Sequence, residues 1–312
     1  MTTSLLGIAP ALDDAIQEVA YNGERYSDFH PANAGDISQV FDAQLSRELV
    51  DRFTTTMSDW FDITRLQDLA SIRCDGRAGY RTEGIENPGF YELLVPITGR
   101  VMLITRTGSD IASIKSVVDC GQDGKLFNLV QVDDTGKRIR IIYGNKEYGS
   151  IPSIETHIHI AANAMHMAEG CDTPATVHAH PPYLVALGRH PKVAGDFERF
   201  NAVVYTAVEG LNRNHKKLMG VVPYHQSGSA DLVDSSLDPL KKHGFVLWMH
   251  HGATVRQINI RQGYVMLGYA EHCARMGLDS VREGALRMPD KEIVPFLEEK
   301  GLKAAYDVVF ET

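Results

Sequence analysis

The sequence is poor in cysteine and has no long apolar run. Only 4 cysteines occur among 312 residues, and none forms a C-x-x-C pair, so neither a zinc knuckle nor a redox dithiol is indicated. No apolar stretch approaches the ~20 residues of a membrane-spanning helix. Arg25 is the first basic residue, so the amino terminus lacks the charged region of a secretory signal. We expect a cytoplasmic protein whose cysteines are reduced and buried.

Basic residues are also in deficit. The chain has 31 Lys and Arg against 40 Asp and Glu, for a formal net charge of -9, which excludes a dominant nucleic-acid-binding surface. Charged residues make up 23% and apolar residues 44%, the balance of a globular protein with a full core. The chain has no repeat and no long linker, so we predict a single α/β domain over 1–312 with a central sheet.

Apolar spacing and turn residues predict the order of the elements. Helices are predicted over 11–20 (ending near Asn22 and Gly23), 45–61, 153–169 (with Ser153 as its cap) and 257–281. Strands are predicted over 91–98, 101–105, 126–132, 138–144, 175–180, 218–224 and 245–250. Hairpins are expected at 98–100 and 134–136, and a polar, glycine-containing turn at 33–38.

Histidine is the informative residue type. Of 13 histidines, 11 fall between His157 and His251. His178 and His180 are two apart on a predicted strand, so their imidazoles point to the same face, roughly 6.6 Å apart along the backbone, and can converge on one ion. A third ligand could come from His250 or His251, which follow another strand and should face opposite sides. Three histidines with an open fourth position are typical of a catalytic zinc site, although an H-x-H pair also occurs on exposed strands without metal.

Glu155 and His159 form a second pair, one helical turn apart. The carboxylate is placed near the start of its predicted helix, where the helix dipole favours negative charge. Together the two residues could ligate a metal or form an ordinary surface pair. Alternatively, Glu155 beside a Lewis-acid ion could move a carbon-bound proton. The spacing leaves all three interpretations open.

These motifs resemble a known family. Glu155 with His159, then the H-x-H pair, then 222–224 followed by 228–229, and finally 250–252 are similar in order and interval to the zinc-dependent class II sugar-phosphate aldolases of the fuculose- and rhamnulose-1-phosphate type. That superfamily also contains ribulose-phosphate 4-epimerases, methylthioribulose-phosphate dehydratases and the adducin head domain. A weaker resemblance covers 33–38 and 105–108. It spans about 11–285, leaving 286–312 as a C-terminal helical extension.

The resemblance implies a fold and a chemistry. The fold is a largely antiparallel sheet flanked by helices. The reaction is cleavage of a ketose 1-phosphate to dihydroxyacetone phosphate and an aldehyde through a metal-stabilised enediolate, in a homotetramer with interfacial sites. The implied metal is Zn²⁺, or another divalent ion such as Co²⁺ or Mn²⁺. The implied site residues are His178, His180 and His251 as metal ligands, Glu155 as acid/base, and Asn33, Gly35, Thr107, Gly108, Ser109 and Ser153 around the substrate phosphate.

Two positions depart from the family pattern. Asp36 stands where relatives have an amide, and Ile154 stands where the rhamnulose branch has a hydroxyl. A carboxylate facing a dianionic phosphate is unfavourable, so Asp36 either turns away, is compensated by Arg106, or faces a substrate without phosphate at that end. An epimerase or dehydratase on the same metal site, and a non-catalytic interaction domain like the adducin head, are the alternative functions.

Overall fold

The structure is a computed structural model that describes residues 4–30, 35–54, 60–62, 88–106, 108–144, 152–208, 217–283 and 290–310. The helices within these residues are α1 (Pro10–Arg25), α2 (Ala43–Arg52), α3 (Pro88–Leu93), α4 (Ile114–Asp119), α5 (Thr156–Ala168), α6 (Pro182–Gly188), α7 (Phe197–Ala207), α8 (Ala230–His243), α9 (Ile260–Glu283), α10 (Asp290–Glu299) and α11 (Lys303–Phe310). The strands are β1 (Asp36–Val40), β2 (Phe61–Asp62), β3 (Val101–Thr105), β4 (Phe127–Val132), β5 (Arg138–Tyr143), β6 (Ala175–Ala179), β7 (Gly220–Val222), β8 (Phe245–Trp248) and β9 (Gly252–Gln257).

All nine described strands belong to one sheet, in the order β2-β5-β4-β3-β1-β6-β9-β8-β7. Every neighbouring pair is antiparallel except β7 and β8, which are parallel. The predicted α/β domain with a largely antiparallel central sheet is therefore confirmed. The order of the strands follows from pairings between distant segments, which local patterns do not reveal.

The sheet is covered on both faces by helices. In β3, Val101 and Leu103 pack into one core with α1, α6, α7 and α9, whereas Met102 and Ile104 pack into the other with α3, α5 and α8. Burial on both faces explains why β3 is apolar throughout its first four residues instead of alternating. Helices α10 and α11 add a small third cluster against Ala202 of α7.

All four predicted helices differ from the structure at one boundary or both; the helix predicted over 257–281 is Ile260–Glu283, because Gln257 still belongs to β9. The first helix continues past Asn22 and Gly23 to Arg25. Gly23 does not end the helix; it lies within it because it lets the Ile111 carbonyl approach, and a Cβ there would lie 2.5 Å from that oxygen. The helix predicted over 45–61 is Ala43–Arg52, and position 61 starts β2 instead. The helix predicted from Ser153 begins at Thr156, since 153–155 form the turn that precedes it.

Two predicted strand and turn assignments are also wrong. Residues 91–98 belong to α3 and to the 3₁₀ turn Val95–Ile97, where Phe90, Leu94 and Ile97 are buried at helical spacing. The expected hairpin at 98–100 is consequently a helix-to-strand turn, whereas the 134–136 hairpin between β4 and β5 is confirmed. Within the polar turn predicted at 33–38, Gly35 has φ +86° and residues 36–38 belong to β1 instead, whereas 33–34 lie outside the described residues.

The cysteines differ in exposure. Cys273 is buried as predicted, whereas Cys171 is half-buried and Cys120 is exposed, so burial is wrong for Cys120. Cys74 lies outside the described residues. Among the described helices, none is long and apolar enough to cross a membrane.

Candidate metal centre and active site

Three imidazoles meet where β6 and β8 end and β1 and β9 begin. His178 lies in β6 and His180 directly follows it, and their Nε2 atoms are 3.0 Å apart. The ring of His251, in the turn after β8, lies 4.9 Å from that of His178 and 5.0 Å from that of His180. One ring nitrogen of each histidine lies within 4.8 Å of the other two. The structure thus brings together all three histidines implied by the resemblance.

The turn between β8 and β9 selects His251 over its neighbour. His250 has a left-handed backbone, with φ 63°, and is exposed, whereas the His251 N–H donates to the Trp248 carbonyl at 3.0 Å and its side chain turns inward. Gly252 then lets β9 approach β6 closely, because a Cβ there would lie 2.5 Å from the Ala179 carbonyl oxygen. The strained turn and the close approach together place one histidine of the pair in the site.

The three imidazoles are held in their neutral form. Burial, followed by the neighbouring imidazoles, lowers the pKa of His178 well below its usual range. Burial likewise lowers the pKa of His180, and lowers that of His251 to about 4, with the charge of His180 adding to the effect. Neutral imidazole is the form that ligates metals. Each ring therefore offers a lone pair at neutral pH.

The donor set fits a divalent ion. Nδ1 of His178 lies 3.1 Å from the Ala253 carbonyl oxygen and donates to it, which leaves Nε2 as a lone pair facing Nε2 of His180. Two lone pairs this close repel unless a cation lies between them; ligands about 2.0–2.1 Å from one tetrahedral zinc ion lie about 3.4 Å apart. The carbonyl acts as the outer partner that usually fixes a ligating imidazole. These residues form a possible metal-binding triad.

Glu155 lies against this triad at the N-cap position of α5. It is 4% exposed; its Oε2 is 3.3 Å from Nε2 of His178 and its Oε1 is 3.4 Å from Nε2 of His251. Burial raises the pKa of Glu155 well above its usual range, and the charge and hydrogen bond of Asp36 raise it further. A carboxyl group whose pKa is raised in this way is suited to holding and releasing a proton near neutral pH.

Asp36 faces the site instead of turning away. It is 3% exposed and lies opposite His178 in the β1–β6 register. Its Oδ2 accepts a hydrogen bond from the Ser153 hydroxyl, and its Oδ1 lies 2.6 Å from Nε2 of His159. His159 is fully buried, so it is neither a member of the histidine triad nor part of a surface pair. Sequence spacing gave no sign of this contact, because it joins strand β1 to helix α5, which are distant in the chain.

The pocket has a volume of about 180 Å³. Of the residues expected around a phosphate, Gly35, Gly108 and Ser153 line it. Ser109 does not, because its hydroxyl donates to the Leu126 carbonyl at 3.1 Å. Asn33 and Thr107 lie outside the described residues.

Ser227 also lines the pocket, and sequence reasoning missed it. Its Oγ is 3.1 Å from Nε2 of His251. The following Gly228 has φ +71° and packs against Ile154, where a Cβ would lie 3.2 Å from the isoleucine carbonyl oxygen. The Ser-Gly dipeptide was the available signal, since such pairs mark tight turns.

Tyr224, Glu209 and Tyr264 are the candidates for a second acid/base group, which would act at the aldehyde end of a substrate, and the structure separates them. Tyr224 is 62% exposed, with its ring 6.1 Å from that of His250. Tyr264 is fully buried, and its hydroxyl lies 2.8 Å from Nε2 of His30. Glu209 lies outside the described residues. Of the two described candidates, only Tyr224 is accessible to a substrate.

Comparison with known protein families shows which family this chain belongs to. Residues 94–278, more than half of the chain, match the family described as "Class II Aldolase and Adducin N-terminal domain". The chain belongs to this family. The match contains Glu155 and all three histidines of the triad, and it extends from the end of α3 into α9 of this class II aldolase-family protein.

Individual proteins similar to this chain are named as aldolases, and their sequence identity to it is low. The class II aldolase-family chain is 18% identical over 211 residues to a rhamnulose-1-phosphate aldolase of Listeria innocua, which covers 67% of this chain and 74% of that protein. It is 24% identical over 150 residues to a rhamnulose-1-phosphate aldolase of Pectobacterium carotovorum, covering 47% and 53% respectively. A crystal structure of a sugar-phosphate aldolase from Thermotoga maritima has a TM-score of 0.60 at 19% identity, covering 88% of this chain and 98% of that one. The structural likeness supports the shared fold.

Proposed function

We propose that this chain is a divalent-metal-dependent aldehyde-lyase that cleaves a carbon–carbon bond of a ketose. The observation that carries the proposal is Glu155 lying 3.3–3.4 Å from two imidazoles of the His178, His180 and His251 triad. A domain that only binds partners has no physical need for an acid/base group against three converging neutral imidazoles. The names of the relatives point to a ketose 1-phosphate, with dihydroxyacetone phosphate and an aldehyde as products.

The three histidines would hold the metal, with Zn²⁺ as the first choice for an all-imidazole set and Co²⁺ or Mn²⁺ as substitutes. When bound, such an ion supplies Lewis-acid polarisation of the substrate's carbonyl and neighbouring hydroxyl oxygens. Nδ1 of His178 keeps its proton and donates a hydrogen bond to the Ala253 carbonyl, and this bond holds the ring in the ligating tautomer. We also propose a homo-oligomer, with a tetramer as the first arrangement to test.

Glu155 handles the carbon-bound proton in this proposal. Bond cleavage leaves the ketone fragment as an enediolate, which must gain one proton on carbon before it is released. The Glu155 carboxyl group, whose pKa is raised by burial, would deliver that proton to the carbon and then recover one from solvent. Its Oε1 has no hydrogen-bond partner among the described residues, so this oxygen is available to the substrate.

The test is product analysis on zinc-loaded protein. Rhamnulose and fuculose, each free and as the 1-phosphate, are incubated with protein that has been chelator-treated and then reloaded with one equivalent of Zn²⁺, Co²⁺ or Mn²⁺. Release of an aldehyde together with dihydroxyacetone or its phosphate supports the lyase. Conversion without cleavage points to an epimerase or dehydratase, and metal-free protein that stays inactive with every ion points to an interaction domain.

A further inference from the structure

Asp36 is a buried acidic group that contacts Ser153 in the candidate active site. It is the first residue of β1, it is 3% exposed, and it lines the same pocket as Glu155 and the three histidines. Neither its burial nor its contacts are explained by the roles assigned above.

A buried network fixes the orientation of the Asp36 side chain. Nε2 of His159 lies 2.6 Å from its Oδ1, and Nδ1 of the same ring lies 2.7 Å from the Ser38 hydroxyl. Asn163 donates to that hydroxyl at 3.0 Å and in turn accepts from Thr176 at 2.8 Å. All four supporting residues are 0–1% exposed. A satisfied network of this kind is rigid, so Asp36 is held facing the pocket.

The same contacts remove the donors that an anion would need. The Ser153 hydroxyl gives its only hydrogen to Oδ2 of Asp36. The Glu155 backbone N–H, at the start of α5, donates to Oγ of Ser153 at 3.1 Å. Two groups that could have bound a phosphate at this helix start are thus already engaged within the protein.

The Asp36 carboxylate also opposes an anion beside Ser153. Arg106 is the one Lys or Arg among the described residues that line the pocket, and its Nη1 donates to the Lys125 carbonyl at 2.7 Å. A divalent ion on the histidines would add positive charge to the pocket, but a phosphate that took the Ser153 hydroxyl from Asp36 would lie directly beside the carboxylate. Like charges at that distance in a site of reduced dielectric repel strongly.

A carboxylate is, in contrast, a strong acceptor for hydroxyl groups. An ionised Asp offers about four lone-pair positions on its two oxygens; Ser153 and His159 occupy two of them, and the Glu155 carboxyl group takes a third. The remaining position can accept a hydrogen bond from a sugar hydroxyl, and bonds to a charged acceptor are about twice as strong as neutral ones. Asp36 therefore suits this side of the pocket to a neutral, hydroxyl-bearing end of a substrate.

We infer that Asp36 is a specificity-determining residue, and that the substrate group bound beside it and Ser153 is a free hydroxyl instead of a phosphate. This inference rests on the proposed lyase function and narrows its substrate class to ketoses that are unphosphorylated at that end. His159 is the positioning residue that keeps Asp36 in place. The ketone fragment released would be dihydroxyacetone itself.

The experiment compares dihydroxyacetone with dihydroxyacetone phosphate in the half-reaction, which needs no knowledge of the sugar. Zinc-loaded protein is incubated in D₂O with each ketone, and deuterium uptake at the carbon that forms the bond is followed by NMR. The wild-type protein should show a KM about 10- to 1000-fold lower for dihydroxyacetone. The Asp36→Asn variant should lose or reverse this preference, since an amide is a poorer acceptor and carries no charge. The ratio of the two KM values on one protein cancels any effect of the substitution on Glu155.

The outcomes separate this inference from the proposed function. A wild-type preference for dihydroxyacetone phosphate would overturn the inference and leave the lyase intact, and this measurement requires no variant to fold. An unchanged KM ratio in Asp36→Asn would also overturn it. Exchange into neither ketone, with one zinc bound per chain, would overturn the lyase and the inference together. His159→Asn provides a further check: metal content should stay at one per chain while the KM ratio moves toward that of Asp36→Asn.

Discussion

Replacing Glu155 by glutamine should separate metal binding from proton transfer. The amide keeps the size of the side chain and its place at the start of α5, but it lacks the basic oxygen that accepts a proton. Both carboxyl oxygens lie 3.3–3.4 Å from the imidazoles, beyond the length of a strong hydrogen bond, so replacing one of them by an amide nitrogen should not displace the rings. We expect one metal ion per chain in the variant and a much slower reaction.

The expected size of the effect follows from the role of the group. Positioned acid/base groups contribute about 10²–10⁴-fold to a rate. At about 1.4 kcal/mol for each factor of ten, the barrier should rise by about 3–5 kcal/mol. Because Glu155 is buried and its pKa is raised by that burial, water cannot easily take its place, and we expect the upper half of this range.

Two measurements check the prediction. Elemental analysis gives the metal content, and deuterium uptake from D₂O into dihydroxyacetone and its phosphate isolates the proton-transfer step from carbon–carbon cleavage. Ser235→Ala is a suitable control, because its hydroxyl bonds to His225 at 2.9 Å and neither residue lines the pocket. Loss of metal together with exchange would identify Glu155 as a ligand. Exchange within about threefold of wild type would place the acid/base on another residue.

Three further predictions concern the frame of the site and the stability of the fold. His251→Ala should lose most of the metal and the activity, whereas His250→Ala should retain the metal; the reverse pattern by elemental analysis would mean that the other histidine of the pair is the ligand. Gly252→Ala should weaken zinc affinity by about 10–100-fold in a competitive chelator titration, because its Cβ would lie 2.7–2.8 Å from carbon atoms of two ligating rings, and unchanged affinity would contradict this packing. Glu169→Gln should lower the free energy of unfolding in urea by about 1–2 kcal/mol, because the Arg256 side chain, 2% exposed, loses its charged partner at 2.7 Å, while the partial exposure of Glu169 limits the cost. The hydrogen bond from Arg256 holds the pKa of Glu169 below its usual 4.5, so this difference should be present above pH 4.5 and disappear as the pH falls through the folded-state pKa; a difference that persists in acid would refute the assignment.

Local sequence patterns predicted the helices and strands whose buried apolar residues recur with a regular period. Strands β3 to β6 and the long helix α9 are close to their predicted positions, because their apolar residues have a clear period. The 91–98 segment was mistaken for a strand because a short apolar run fits either structure. The sequence did contain a signal against a strand, because Pro96 is incompatible with a central strand. The apolar residues that the structure buries there, Phe90, Leu94 and Ile97, have helical spacing.

In the candidate site, likewise, some contacts follow from the sequence and others depend on how distant segments pack. The convergence of His178 and His180 follows from strand geometry, which the sequence contains. The contact between Asp36 and His159 does not, because it depends on β1 pairing with β6 and on α5 packing against both. Strand geometry alone left His250 and His251 open and the family resemblance implied His251; the structural reason is the left-handed backbone of His250, which local patterns do not signal because few non-glycine residues adopt it.

The position of β6 in the sheet has a consequence for how an ion would be loaded and lost. The strand lies between β1 and β9, and all five of its residues are buried, so its amide hydrogens should exchange with solvent only when the whole domain unfolds. A site anchored on such a strand exists before any ion arrives, unlike zinc fingers, which fold around their metal. Chelation should therefore leave an apoprotein whose amide exchange along β6 is as slow as before. Metal uptake would then be a second-order encounter at a finished binding site, with a rate set by access through the pocket mouth.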